Sequence, residues 1–360
     1  MSIRSILEAS IVVCAGAGGV GKTTISAAIA LEGAARGKKT IVLTIDPAKR
    51  LANALGIDEL TNKARRIPDE AFEEAGLKPA DLEAMMLDTK TTADELVHRY
   101  ARSPARAKKI IDNRFYQAVS GALSGTHEYM AMEKLYELAG EQKYDLIVID
   151  TPPTRNALDF LDAPKKITSF LEGKLLKWFL LPAIGGGRGI FKLTNLAAVQ
   201  FLRVVRRIVG SQILEDTAEF LKNFEGMYEG FKQRARAVNE LLRQKSTVFV
   251  VVTAPSKQSI EEAIFFASAL RSSQLSFGGL VVNRVHPRFG VGELDKKSPP
   301  LIKALGEVAK GFELVAERED RSLRRLERQI PRDRWASVPF LTTEVSDLDA
   351  LSTIAGHIFI

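Results

Sequence analysis

The sequence predicts an α/β protein: a mostly parallel sheet flanked by helices, with an inserted α-helical subdomain. Three observations carry this. Short, uninterrupted Val/Ile/Leu runs recur along the chain, as in strands buried on both faces. The first two of these runs bracket an Ala-rich stretch of crossover length. Two long intervals, 90 to 140 and 150 to 246, hold no comparable run and exceed ordinary crossover lengths.

In chain order, "IVVCA" (11–15) reads as a buried strand, followed by a Gly-rich turn. "KTTISAAIALEGAARG" (22–37) is a helix with Gly37 placed as its C-terminal stop. "TIVLTID" (40–46) is a second strand, parallel to the first by the crossover rule. Further strands are expected at "EAMMLD" (the 84 to 89 region), "YDLIVID" (144–150), "STVFVVVT" (246–253) and "GGLVVN" (278–283), with a short one at "ASVPF". The expected core is therefore 1–90, 140–165 and 245–360, and the helical subdomain 91–139 and 166–244. "GGGRG" at 185–189 marks a break, and no internal repeat or low-complexity tract is present.

Composition narrows the class. With 46% apolar and 26% charged residues over 360 positions, the chain reads as globular and large enough for a substantial core. The net charge of +7 attracts anions without choosing among nucleotide, lipid and nucleic acid. The basic stretch "RSPARAKKIIDNR" (102–114) reads as a solvated helix face. A single cysteine, Cys14, excludes disulfides within the chain and Cys-pair metal sites, and its apolar surroundings suit a buried thiol. The longest apolar runs, such as "WFLLPAI", fall far short of the roughly 20 residues of a spanning helix. No signal-peptide pattern opens the chain, so a cytoplasmic location is expected.

The stretch "CAGAGGVGKTT" (14–24) fits two phosphate-binding templates. Through Gly16, Gly18 and Gly21 it matches the turn of a dinucleotide-binding βαβ unit, with Asp46 near the distance of a ribose ligand. Through Gly16, Gly21, Lys22 and Thr23 it matches a P-loop. In that template the backbone N–H groups of Gly18, Gly19, Val20, Gly21, Lys22, Thr23 and Thr24 converge on phosphate, Lys22 reaches the β/γ-phosphates and Thr23 holds Mg²⁺. A dinucleotide site has no use for Lys-Thr, and a P-loop needs an acid at the end of another apolar strand, which Asp150 in "YDLIVIDTPPT" supplies. The expected fold is thus a P-loop NTPase.

Taken together, "GAGGVGKTT", "TIDPAKRLANALG", "DTPPTRNALDFL", "VVTAPSKQSIEEA", "VVNRV" and "VPFLTTEVSDLDAL" resemble, in order, the arsenite-pump ATPase (ArsA) family, which includes the ATPases that target tail-anchored membrane proteins. The resemblance spans nearly the whole chain and implies a deviant-P-loop (deviant Walker A) ATPase using ATP and Mg²⁺ as a dimer, with nucleotide at or near the subunit interface. It implies that Asp46 positions or activates the attacking water, that Asp150 acts on the Mg²⁺ shell, that Asn283 reads the adenine edge and that Pro339 and Phe340 border the base. It also implies a hydrophobic or membrane-protein client held by the helical subdomain, where Trp178, Phe179, Leu180 and the amphipathic stretch 195–210 stand. No nucleic-acid partner and no transmembrane segment are expected.

Three departures from the family qualify that picture. The family usually carries lysine where Ala17 stands, so the missing charge has to come from Lys49, Arg50, Arg155 or the lysine of a paralogous partner. One cysteine supplies neither a zinc clasp nor the thiolates of metalloid activation. A single cassette requires a second chain if two sites must meet, whether as a homodimer or as a heterodimer with a paralogous ATPase. The leading reading is an ATPase switch that opens and closes a helical client-binding subdomain. The alternatives are a nucleotide-gated regulatory subunit with little hydrolysis and a positioning ATPase of the ParA/MinD type.

Overall fold

In the computed structural model, residues 3–45, 50–120, 126–151, 211–224, 227–290, 299–342 and 345–359 are described. The chain divides into two compact units, Met1–Leu87 with Leu135–Phe160 and Glu240–Ile360, and Asp88–Lys134 with Leu161–Asn239.

The first unit is built on an eight-stranded sheet of order β3-β4-β2-β5-β1-β6-β7-β8. Its strands are β1 (Ile11–Ala15), β2 (Thr40–Thr44), β3 (Arg65–Arg66), β4 (Leu82–Met86), β5 (Leu146–Asp150), β6 (Thr247–Thr253), β7 (Phe277–Val285) and β8 (Trp335–Pro339). All neighbours pair in parallel except the two-residue β3, which runs antiparallel to β4 at the edge. The apolar runs mark the seven parallel strands to within a residue or two. β3 has no such run, because a two-residue exposed edge strand buries nothing.

Both faces of the central strands are buried, as their unbroken apolar runs require. On one face Val12, Cys14, Val148, Val250 and Val252 pack with Ile25, Ala28 and Ile29 of α1 (Lys22–Ala35), and with Leu351, Ile354 and Ile358 of α12 (Leu348–Phe359). α1 ends where Gly37 takes φ 83°, the left-handed conformation that closes a helix at low cost in glycine. Short α2 (Arg50–Ala54) and α3 (Asp69–Glu74) add to the same face through Leu51 and Phe72. α10 (Lys257–Ser272) follows β6, and α11 (Pro300–Glu327) stands between β7 and β8 in the chain.

In the second unit the described elements are helices: α4 (Thr89–Tyr100), α5 (Pro104–Ile111), α6 (Arg114–Val119) and α8 (Ser211–Phe224), with parts of α7 (Thr126–Gly140) and α9 (Tyr228–Arg243). Local sequence sets their starts. Asp88 accepts from Thr91 N, Ser103 from Arg106 N, and Asn113 from Phe115 N and Tyr116 N, each satisfying backbone N–H groups that a helix start leaves open. The basic stretch on α5 is solvated as expected, Arg106, Lys108 and Lys109 being exposed while Ala107 and Ile110 are buried. The interior holds the stacked rings of Tyr129 and Phe231 and a buried pair in which the Arg234 guanidinium donates to Glu133 at 2.8 Å. Among the described residues no helix is long and apolar enough to cross a membrane. The apolar stretches around Trp178, Phe179 and Leu180 and at 195–210 lie outside the described residues.

Candidate nucleotide site

β1 lies between β5 and β6, with Cys14 opposite Asp150 and Ala15 opposite Val251. The carboxyl ends of these strands, with those of β7 and β8, therefore form one rim, the usual place for a ligand in an open α/β sheet. From β1 the chain turns through Gly16–Gly21 into α1. At Gly16 a Cβ would fall 2.1 Å from the Val252 carbonyl oxygen of β6. At Gly21, the residue before α1, φ is 91° and a Cβ would fall 2.2 Å from Asn283 Nδ2. Both positions require glycine, the first for close approach and the second for conformation as well.

Lys22 and Thr23, the first residues of α1, are buried. The Lys22 ammonium folds back over the turn and donates to Ala17 O at 2.9 Å. Thr23 Oγ1 donates to Asp150 Oδ2 at 2.7 Å, and Thr44 Oγ1, at the end of β2, donates to the same oxygen at 2.8 Å. Thr151 is tied to β1 through its own hydroxyl, which donates to Cys14 O at 2.8 Å. Three adjacent strand ends thus converge on the first turn of α1.

From β7, Asn283 Nδ2 donates to Val20 O at 3.0 Å, and its Oδ1 accepts from Arg284 N. Arg284 adds a guanidinium bond to Gly19 O at 3.2 Å. Beneath the turn, Cys14 is fully buried; burial, with the nearby Asp150 charge, pushes its thiol up to about 12, against the lowering effects of Ser26 and Lys22.

A cleft of about 730 Å³ opens on this turn, lined by Gly18, Gly19, Gly21, Lys22, Thr23 and Thr24 on one side and by Asn283, Pro339 and Phe340 on the other. Phe340 is 46% exposed and stacks on His286 with centroids 5.2 Å apart, so it belongs to the cleft wall rather than to the core. Val20 is buried behind the turn, and Asp150 touches the site through Thr23. The cleft carries three cations, Lys22, Arg50 and Arg284, and no carboxylate among its described lining residues. Its charge and its backbone turn at a helix N-terminus suit an anionic phosphate chain. Arg50, expected as a replacement cation, lines the cleft; Asp46, Lys49 and Arg155 lie outside the described residues.

The donor set also fits Mg²⁺. Thr23 and Asp150 offer hard oxygen ligands side by side, and this ion ordinarily takes one or two protein oxygens together with phosphate. Thr44, Thr151 and Arg284 were not anticipated from the sequence. Thr44 and Thr151 flank the two strand-end acids, and Arg284 follows Asn283, but only strand adjacency gives them their places.

Fold and site together define a P-loop nucleoside triphosphatase. The pattern of the anion-transporting ATPase (ArsA) family matches residues 9–359, and the chain belongs to that family. It is 26% identical over 307 residues to a provisionally assigned arsenical pump-driving ATPase 2 of Aquifex aeolicus (strain VF5), covering 82% of this chain and 85% of that protein. It is 28% identical over 274 residues to ATPase ASNA1 homolog 2 of Paramecium tetraurelia, covering 75% of this chain and 74% of that one. It is also 28% identical over 230 residues to ATPase GET3 of Malassezia globosa, covering 59% and 64%. The chain is an ATPase of this family.

Proposed function

We propose that the chain binds MgATP in the cleft at the Gly16–Gly21 turn and uses hydrolysis of the γ-phosphate to open and close a helical client-binding subdomain, working as a dimer. The observation that carries the reading is the shared Asp150 carboxylate, which receives Thr23 from the nucleotide turn and Thr44 from the neighbouring strand end. One carboxylate thereby links the phosphate-binding helix start to the segment that leads to Asp46 and to the one that follows Asp150. Loss of a phosphate contact at Thr23 would be felt at both, which is what a nucleotide-reporting switch requires.

Within this reading Lys22 and the backbone N–H groups of the turn hold the phosphates, and Thr23 with Asp150 holds the metal. Mg²⁺ held there would supply positive charge that offsets the phosphate oxygens. Asp46 orients the attacking water, and Pro339 and Phe340 border the adenine. Asn283 reads the base edge by turning its amide from Val20 O toward the ligand. The client in this proposal is a hydrophobic or membrane-protein segment.

Ala17 favours a second reading, a nucleotide-gated regulatory subunit that completes its site with a paralogous chain. The test is phosphate release and solution mass for the wild type, Lys22→Ala and Asp46→Asn, each with MgATP, with ATP and EDTA, and without nucleotide. We expect Mg²⁺-dependent release by the wild type, its loss in both variants, and a nucleotide-dependent dimer trapped by Asp46→Asn. A wild-type monomer that binds ATP without turnover would replace this reading with the regulatory one.

A further inference from the structure

A second cleft, of about 650 Å³, lies between the start of α10 and the C-terminal half of α11. Five cations line it, Lys257, Arg284, Arg318, Arg321 and Arg325, against one carboxylate, Glu319. That carboxylate is buried and already engaged: one oxygen accepts the His286 backbone N–H at 2.9 Å, and the other lies 2.6 Å from His286 Nδ1. Arg325 pairs with Glu261 at 2.7 Å on the open surface. Lys257, Arg318 and Arg321 have no carboxylate partner among the described residues. The cleft is therefore strongly cationic and lacks its own counter-charge.

Arg318, Arg321 and Arg325 stand three and four residues apart and so form a row on one side of α11. Like charges at this spacing repel one another, which an anionic ligand relieves. The row extends about 10 Å along the helix axis, more than one small anion can bridge. Toward the N-terminus of the same helix, Val315, Val308, Leu305 and Leu301 recur at helical spacing and are exposed, Leu305 at 60% and Val308 at 59%. Val315 lines the cleft, so the apolar stripe and the basic row meet there.

This pairing selects the ligand class. A polypeptide can place carboxylates on the arginines and apolar side chains on the stripe, whereas a nucleic-acid backbone has nothing to set against Leu301, Leu305 and Val308. The same two helices also carry Glu261, Glu262, Glu317 and Asp320, which a long polyanion would meet on either side of the cations. We propose that the cleft between α10 and α11 is a docking site for an acidic segment of a partner protein in which apolar residues flank the carboxylates. Lys257, Arg318 and Arg321 hold the carboxylates, and Val315 with the exposed stripe of α11 receives the apolar side chains. Guanidinium forks match carboxylates, and apolar neighbours strengthen the pairs by excluding water. The cleft shares Arg284 and Phe340 with the nucleotide cleft, so a seated partner adjoins the nucleotide site without occupying it.

The test uses the full chain and a fluorescein-labelled peptide of Glu and Leu, with its carboxylates three and four residues apart, read by anisotropy at low and at physiological salt. The variants are Arg318→Glu with Arg321→Glu, Leu305→Ser with Val308→Ser, and, as a control in the basic stretch of α5, Arg106→Glu with Lys109→Glu. We expect the arginine pair to lose about tenfold in peptide affinity, the apolar pair to lose severalfold and the α5 pair to bind as wild type, with Tm and ATP turnover kept in all three. The same peptide with Gln for Glu should bind weakly to every form, and salt should weaken the Glu peptide. Equal losses in the cleft and α5 variants, a Gln peptide as tight as the Glu peptide, or no binding of the Glu peptide to wild type at low salt overturns the proposal. A single-stranded DNA oligonucleotide that binds more tightly than the peptide and is released by the arginine pair assigns the cleft to nucleic acid instead. A dimer that only the cleft variants dissolve, and that excludes the peptide, assigns it to a second copy, which likewise overturns the proposal.

Discussion

Cys14 shows how the nucleotide turn constrains a residue that never meets the ligand. It is enclosed by β5, β6 and α1, and its thiol is pushed from 9.0 up to about 12, so the native state holds the proton. The contribution of this proton to stability is complete below about pH 9 and declines as pH rises from there toward 12, because only the unfolded thiol ionises in that window. At pH 8.5 a thiol reagent should modify the native protein far more slowly than the urea-unfolded chain, timed by mass spectrometry. Equal rates would mean that β1 opens readily and that the turn above it is not held. The site residues differ in how legible they were. Lys22, Thr23 and Asp150 could be read because a phosphate template fixes residue types at fixed spacing. Thr44 and Arg284 could not, since each is brought to the turn by a strand more than a hundred residues away from its partner.

At the scale of elements, α7 and α9 are fastened within the second unit by polar groups in an apolar setting. Tyr129 OH donates to Glu133 at 2.6 Å and Arg234 Nε donates to it at 2.8 Å, with Glu133 only 2% exposed. Burial raises the carboxyl of Glu133 while Tyr129 and Arg234 act to lower it. Arg234→Met should cost about 3 kcal/mol by leaving the carboxylate buried without its cation, and adding Glu133→Gln should restore most of that. Urea midpoints of the single and double variants measure both. A loss below about 1 kcal/mol would mean that water already reaches the pair. Such fastenings leave no periodic signature, whereas the sheet strands do, because a strand buried on both faces must be apolar throughout. The caps Asp88, Ser103 and Asn113 are legible in principle, each being a short polar residue before a helical run.

Across the whole molecule, strand identity was legible and strand order was not. Apolar runs disclose which segments are buried, but the insertion of β1 between β5 and β6 comes from packing of the finished sheet. That insertion also fixes when the site can exist. β1 and its turn leave the ribosome before the other strands, yet β5 pairs with β1 from residue 147, β6 from residue 247, and the latch on the turn comes from residues 283 and 284. α12, which packs on α1, comes later still, from Leu348–Phe359. Loop-closure entropy must be met at each of these separations before the contact repays it. A chain stalled with residues 1–275 exposed should therefore bind no ATP, and one stalled with residues 1–360 exposed should bind it, as read by nucleotide crosslinking to ribosome-bound chains. Crosslinking to the shorter chain would show that the turn forms without its latch. The strand that emerges before its partners is in this sense the last to become useful, and until residues 348–359 are made the apolar β1 needs shelter that its own nucleotide cannot give.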